Sequence, residues 1–295
     1  MRLLFRPRDL ACWARFSGDF NPIHFDIGAA RAAGADDLIV HGMLALLPIK
    51  HLLWEHARPA GGEDGWLRFR AMLRRPVLVG RRHVVSLAER ARGRLDFSLR
   101  DERSSEELLR GFAGRCEAPE LSGDTAQRPM PDGAVDWSSF CADFPFSTDP
   151  WTYLDGLAFA AFVRSHANIA DVLPAEGRPP WLRPDGAGSL LMQTGQETFI
   201  HPAVRQMHEQ GAIAPNLAGL GYAIATELAG VSDAEAVGSA RVTLYLRDRA
   251  MVISRFGLIA KRISTSGEME DEQDTGFPQG TGARDHRRGG KRAVG

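Results

Sequence analysis

The hydrophobic and polar positions of this chain change period along its length. The first fifty or so residues follow a helical spacing. In "PRDLACWARFSGD", Leu10, Trp13, Ala14 and Phe16 share one stripe, Pro7 suits a first turn, and Ser17-Gly18-Asp19 ends the segment. Asp26 is a fitting N-cap for "IGAARAAG" and Gly34 a fitting stop. "LIVHGMLALLPIKHLLWEHA" is apolar almost all round, which predicts a helix buried on most sides. Pro48 removes a backbone hydrogen bond, so it predicts a kink unless the helix begins there.

Past "PAGGEDG" the period becomes two. Leu67, Phe69, Ala71 and Leu73 alternate with Arg68, Arg70 and Arg74 around them. Leu95, Phe97 and Leu99 alternate with Asp96, Ser98 and Arg100, and "EELLRGFAGRC" reads as a further strand. Short helices, one buried helix and then an antiparallel sheet make an α+β pattern, not the βαβ alternation of a nucleotide-binding fold.

Residues 117–136 are rich in Pro, Gly and Asp and read as a linker. A second unit follows. Pro150 opens a helix whose Leu154, Leu157, Ala158, Ala161 and Phe162 form a core stripe, and "VTLYLRDRAMVISRFGLIAKRI" alternates like strands. "FSLRDERSSEELLRGFAGR" and "LYLRDRAMVISRFGLIAKR" echo one another: a strand, an Arg-Asp turn, and a basic strand end. The organisation expected is two similar helix-plus-sheet halves, 1–116 and 137–265, with 117–136 between them. Residues 266–295 are polar, Gly-rich and acidic then basic, a composition that predicts a disordered tail.

Composition narrows the class. The 295 residues are 44% hydrophobic and 25% charged, ordinary for a globular chain with a real core. Thirty-six Lys and Arg against 37 Asp and Glu give a net charge of −1, which argues against a dedicated nucleic-acid binder. Cys12, Cys116 and Cys141 show no metal or disulfide spacing and read as free thiols. The N-terminus is too polar for a signal peptide and no apolar run is long enough to span a membrane, so a cytoplasmic location is expected.

Candidate chemistry concentrates in "SGDFNPIHFD". Gly18 and Pro22 set turns that let one loop project Asp19 and His24 together, a carboxylate and an imidazole able to act as general acid or base. Asn21 can fix the backbone between them. Taken alone this is turn chemistry. Downstream, "IVHGML" puts Gly42 at the mouth of the buried helix, where backbone N–H groups and the positive dipole end suit a developing oxyanion.

With these residues in view, "ARFSGDFNPIHFDIGAARAAGADDLIVHGML" strongly resembles the signature of the MaoC-like, or (R)-specific, enoyl-CoA hydratases of the hot-dog fold. The resemblance is close through residues 13–44 and loose to about residue 115. It implies a tandem pair of hot-dog units, each an antiparallel sheet wrapped on a central helix. It also implies reversible syn addition of water to a trans-2-enoyl thioester, giving an (R)-3-hydroxyacyl thioester. The residue matching Asp19 would activate the water with the one matching His24, Asn21 would position them, and the Gly42 amide would receive the thioester oxygen. No metal and no redox cofactor is implied; coenzyme A or an acyl-carrier protein would carry the acyl group, and a carrier protein or a second copy of the chain are the candidate protein partners. Two departures stand out. "ALL" follows "HGML" where relatives often carry a Ser, and residues 137–265 hold no second "GDxNPxH", although in many fused two-unit hydratases the motif sits in the second half.

Two other readings remain open: dehydration of a dedicated polyketide or branched dicarboxylic 3-hydroxyacyl thioester, and a non-catalytic acyl-thioester-binding subunit. His41 either shapes the oxyanion turn or caps the buried helix. His166, Asn168 and His201 would mark a second site only if they converged, and lone histidines near helix ends are usually structural. Arg68, Arg70, Arg74, Arg81 and Arg82 suit either a solvated sheet face or carrier phosphates. Trp151 and Tyr153 read as helix-packing aromatics.

Overall fold

The computed structural model describes residues 1–56, 65–121, 126–130, 136–147, 149–165, 181, 189–209 and 217–262. His166, Asn168 and the expected tail 266–295 lie outside the described residues, as does part of the expected linker.

The helical spacing of the N-terminal region becomes α1 (Pro7–Ser17), with Pro7 in its first turn and Gly18 as its C-cap at φ +82°. Only glycine adopts that left-handed turn without strain. A short 3₁₀ turn at Pro22–His24 and α2 (Ile27–Ala32) follow, and the Asp26 side chain accepts the Ala29 N–H as the expected N-cap. Helix α3 (Gly42–His56) does not begin at Pro48 but continues through it. Proline in a helix interior costs about 3 kcal/mol. Leu44, Leu46, Leu47, Ile49 and Leu53 are fully buried, each worth roughly 1.5–3 kcal/mol of apolar burial, and together they outweigh that cost.

The period-two segments become β2 (Trp66–Leu73), β3 (Arg82–Arg90), β4 (Arg94–Asp101) and β5 (Glu107–Cys116), which join the N-terminal β1 (Arg2–Leu4). Within the expected linker, Arg128–Pro129 forms a two-residue strand, β6, that pairs with a later strand; the segment is not purely a connector there. Helices α4 (Trp137–Asp143) and α5 (Pro150–Ser165) lead to β7 (Ser189–Ile200), α6 (Pro202–Glu209), β8 (Leu220–Val231), β9 (Glu235–Leu246) and β10 (Arg249–Arg262).

The ten strands among the described residues form one antiparallel sheet in the order β1-β3-β4-β5-β2-β7-β10-β9-β8-β6. Read from each edge inward the two halves match: β1, β3, β4, β5, β2 on one side and β6, β8, β9, β10, β7 on the other. The two echoing segments are therefore equivalent hairpins, β4–β5 and β9–β10. The halves meet where β2 pairs with β7, with Leu67 opposite Ile200, Phe69 opposite Thr198 and Ala71 opposite Gln196.

Each half wraps its sheet on one central helix, α3 in the first and α5 in the second. Trp151 of α5 meets Phe69 of β2 and Trp54 of α3, while Phe159 and Phe162 meet Phe256 of β10. Trp151 and Tyr153 are buried packing groups, as expected. The architecture is a tandem hot-dog, α+β, with Met1–Ile263 forming one compact unit. Among the described residues no helix is long and apolar enough to cross a membrane, and Cys12, Cys116 and Cys141 are free.

Candidate active site

Helix α1 ends directly before the loop of interest, and the halves cooperate to end it. Arg164, at the end of α5, donates to the Phe16 carbonyl at 2.8 Å. Ser17 Oγ donates back to the Trp13 carbonyl and accepts the Asp19 N–H at 3.1 Å. Asp19 Oδ1 accepts the Asn21 N–H at 3.2 Å. Asn21 Nδ2 donates to the Leu191 carbonyl at 2.7 Å, tying the loop to β7 of the second half.

His24 is buried, and its Nδ1 lies 2.7 Å from the Ile39 carbonyl. A carbonyl only accepts, so Nδ1 carries the proton and Nε2 keeps its lone pair. That lone pair faces Asp19, whose Oδ2 lies 3.9 Å away. The gap is too long for a direct hydrogen bond and short enough for one water to bridge. The buried His41 donates from Nε2 to the Asp19 carbonyl at 3.0 Å and stacks its ring on His24 with centroids 3.6 Å apart. Asp19, His24, Asn21 and Gly42 are thus gathered as the sequence spacing suggests, and His41 braces the Asp19 backbone.

Burial sets the protonation of the group. Asp19 keeps only 20% of its side chain exposed. Desolvation pushes its carboxyl above the ordinary carboxylate range, opposed by His24 and by the Asn21 N–H. Desolvation pulls the His24 imidazole down, opposed by the Asp19 carboxylate and the Ile39 carbonyl. His41 falls to about 2, from burial first and the neighbouring His24 second. His24 and His41 therefore rest neutral. Asp19, His24 and His41 each offer one ligand atom, all within 4.8 Å of one another, and are the group among the described residues that could hold a metal ion.

Gly42 opens α3 beside this group. The N–H groups of Gly42, Met43 and Leu44 have no partner among the described residues. Such first-turn donors are free to receive an oxygen. The matching end of α5 is closed: Asp149, fully buried, accepts the Thr152 N–H at 2.8 Å and pairs with His51 at 3.1 Å. Ala45, Leu46 and Leu47, which follow, are buried apolar groups.

Residues 2–96 match the family model described as "MaoC like domain". Over that stretch the chain is similar to the MaoC-like domain family. Within it lie the Asp19–His24 loop, His41 and Gly42. The mitochondrial 3-hydroxyacyl-[acyl-carrier-protein] dehydratase of Arabidopsis thaliana is 35% identical over 77 residues, 26% of this chain and 44% of that protein. The chain thus spans less than half the length of this curated relative. Among solved structures, a MaoC-like dehydratase superposes over 89% of this chain and 96% of its own at 11% identity and a TM-score of 0.49. The (R)-hydratase from A. caviae covers 38% of this chain and 88% of its own at 24% identity and a TM-score of 0.32.

The remaining sequence candidates have partners outside the Asp19–His24 group. His201 Nδ1 accepts the Ala203 N–H at 3.0 Å and its ring meets Trp66 edge-on, a helix-end role. Arg68 pairs with Glu197, Arg74 with Glu107 and Arg81 with Asp36, as on a solvated, ion-paired face. The spacing gave no hint of Gln193. An alanine Cβ on Gly42 would lie 2.6 Å from Gln193 Oε1 and 2.5 Å from Leu73 Cδ2. The signal that bears on Gln193 is not local: it needs the β2–β7 seam.

Proposed function

We propose that the Asp19–His24 site catalyses the reversible, (R)-specific hydration of trans-2-enoyl thioesters, carried on coenzyme A or an acyl-carrier protein. Asp19 and the His24 Nε2 lone pair hold one water. As its oxygen adds to C3, the pair accepts a proton, and a proton is delivered to C2 on the same face. The thioester oxygen takes up negative charge as C2 becomes nucleophilic and rests on the Gly42 N–H at the dipole end of α3. Dehydration is the same path reversed. Adding water changes no oxidation state, so the reaction calls for no redox cofactor, and the proposed roles use no metal.

One observation carries this reading: a carboxylate and a neutral imidazole 3.9 Å apart, beside three unpartnered helix N–H groups. A binding module needs the donors but not the pair. The test is a hydration assay following loss of enoyl-thioester absorbance across chain lengths. Wild-type protein should turn over at least one substrate, and Asp19→Asn and His24→Gln should each lower turnover by roughly 100-fold or more with unchanged far-ultraviolet circular dichroism. Near-wild-type activity in either folded variant would remove that residue from the mechanism.

A further inference from the structure

Strand β7 is not regular where it passes α3. Gly195 pairs with Gly257 and Gln193 with Leu258, so Thr194 is the extra residue of a β-bulge. A bulge reverses the alternation of a strand and re-aims a side chain. Beyond the bulge Gln196, Thr198 and Ile200 are the buried, inward-facing residues. Without the bulge, regular alternation through Thr194 would turn Gln193 away from the helices. With it, the Gln193 carboxamide lies against Gly42, within 2.6 Å of the point a Cβ there would occupy.

The orientation of that carboxamide matters. Nε2 donates to the Gly195 carbonyl of its own strand, a long 3.3 Å bond. Oε1 is left facing the first turn of α3, whose N–H groups are unpartnered. A carboxamide oxygen and a thioester oxygen are both carbonyl acceptors. Resting on the function proposed above, we infer that Gln193 is the affinity- and specificity-setting residue of the Asp19–His24 site. In the free protein its Oε1 stands in the space the thioester carbonyl needs, and substrate binds by turning it aside. The second half thus competes with substrate for the space beside Gly42 while taking no part in proton transfer. If the occluded arrangement outweighs the open one by roughly tenfold, apparent affinity is reduced by about the same factor.

The test uses the full chain with Gln193→Ala, and Gln193→Ser should the alanine variant fold poorly. Steady-state hydration of a trans-2-enoyl-CoA is measured alongside calorimetric binding of the matching saturated acyl-CoA, which needs no turnover. The expected result is a KM and a Kd each lowered about five- to tenfold, with kcat within twofold of wild type. An unchanged KM and Kd would overturn the inference. So would a kcat lowered tenfold or more, which would make Gln193 an oxyanion donor instead. Wild-type binding without turnover would sink the hydratase reading and leave the binding comparison to decide the role of Gln193. Absence of acyl-CoA binding in wild type and variant alike would overturn both.

Discussion

At the residue scale the site depends on keeping buried imidazoles neutral. His41 has an ordinary value of 6.5 and falls to about 2 in the folded protein. A depressed value means that its contribution to stability is complete above 6.5 and is lost as pH falls toward 2. At pH 5 the loss is about 2 kcal/mol by linkage. His24 shifts in the same direction. Asp19, whose value is raised, works the other way: its contribution is present below the ordinary carboxylate value and lost as pH rises through the raised one. Comparing variants isolates His41. Urea denaturation at pH 7.5 and pH 5 should show that His41→Gln narrows the pH-dependent stability difference by about 2 kcal/mol. An equal difference in wild type and variant would mean that His41 is not the buried neutral group described. The sequence alone could place Asp19, Asn21, His24 and Gly42 because Gly18, Pro22 and the helix start at Gly42 are local turn signals. It left His41 with two roles open, since stacking on His24 and bonding to the Asp19 carbonyl are both contacts across the loop.

At the scale of elements, each central helix hides one charge of opposite sign. Lys50 of α3 and Asp155 of α5 are both fully buried and form an ion pair. Gln196 of β7 bonds both of them, while the Thr198 and Ser254 hydroxyls donate to the Asp155 carboxylate. Burial lowers the Lys50 value and Asp155 opposes the shift. Lys50 in "LALLPIKHLLW" and Asp155 in "YLDGLAFAAF" carry no local signal of a role. Their pairing is not legible locally, because it spans 105 residues. The same distance hid the role of β7, and the bulge at Thr194 broke the alternation that would have assigned Gln193 to a face. Elements with local punctuation, such as α1 between Pro7 and Gly18 or the β9–β10 hairpin, were readable. Removing one partner of a buried pair strands the other, at about 3–5 kcal/mol. Lys50→Met and Asp155→Leu should each lose about that much in urea denaturation. The double variant should fall short of their sum by roughly 1 kcal/mol or more. Strict additivity would show that the two charges are not coupled.

For the whole molecule, the consequence is that the first half does not hold the whole candidate site although it holds Asp19, His24 and Gly42. The second half supplies Leu191 to hold Asn21, Gln193 to face Gly42, and Arg164 to close α1. Cutting at residue 121 would leave β2 as an open strand edge beside an apolar helix, a template for aggregation. A second copy of the fragment is a poor substitute for the missing half. Pairing two β2 edges would bring two buried Lys50 ammonium groups toward one interface with no Asp155 between them, and unpaired buried charge is strongly unfavourable. Residues 1–121 expressed alone should therefore give little soluble protein and no hydration activity. The same fragment carrying Lys50→Met should recover soluble, dimeric material, read by sedimentation, because the repelling charge is gone. A wild-type fragment that sediments as a stable dimer and hydrates enoyl thioesters would mean that the first half is self-sufficient and that the seam contributes nothing essential to the site.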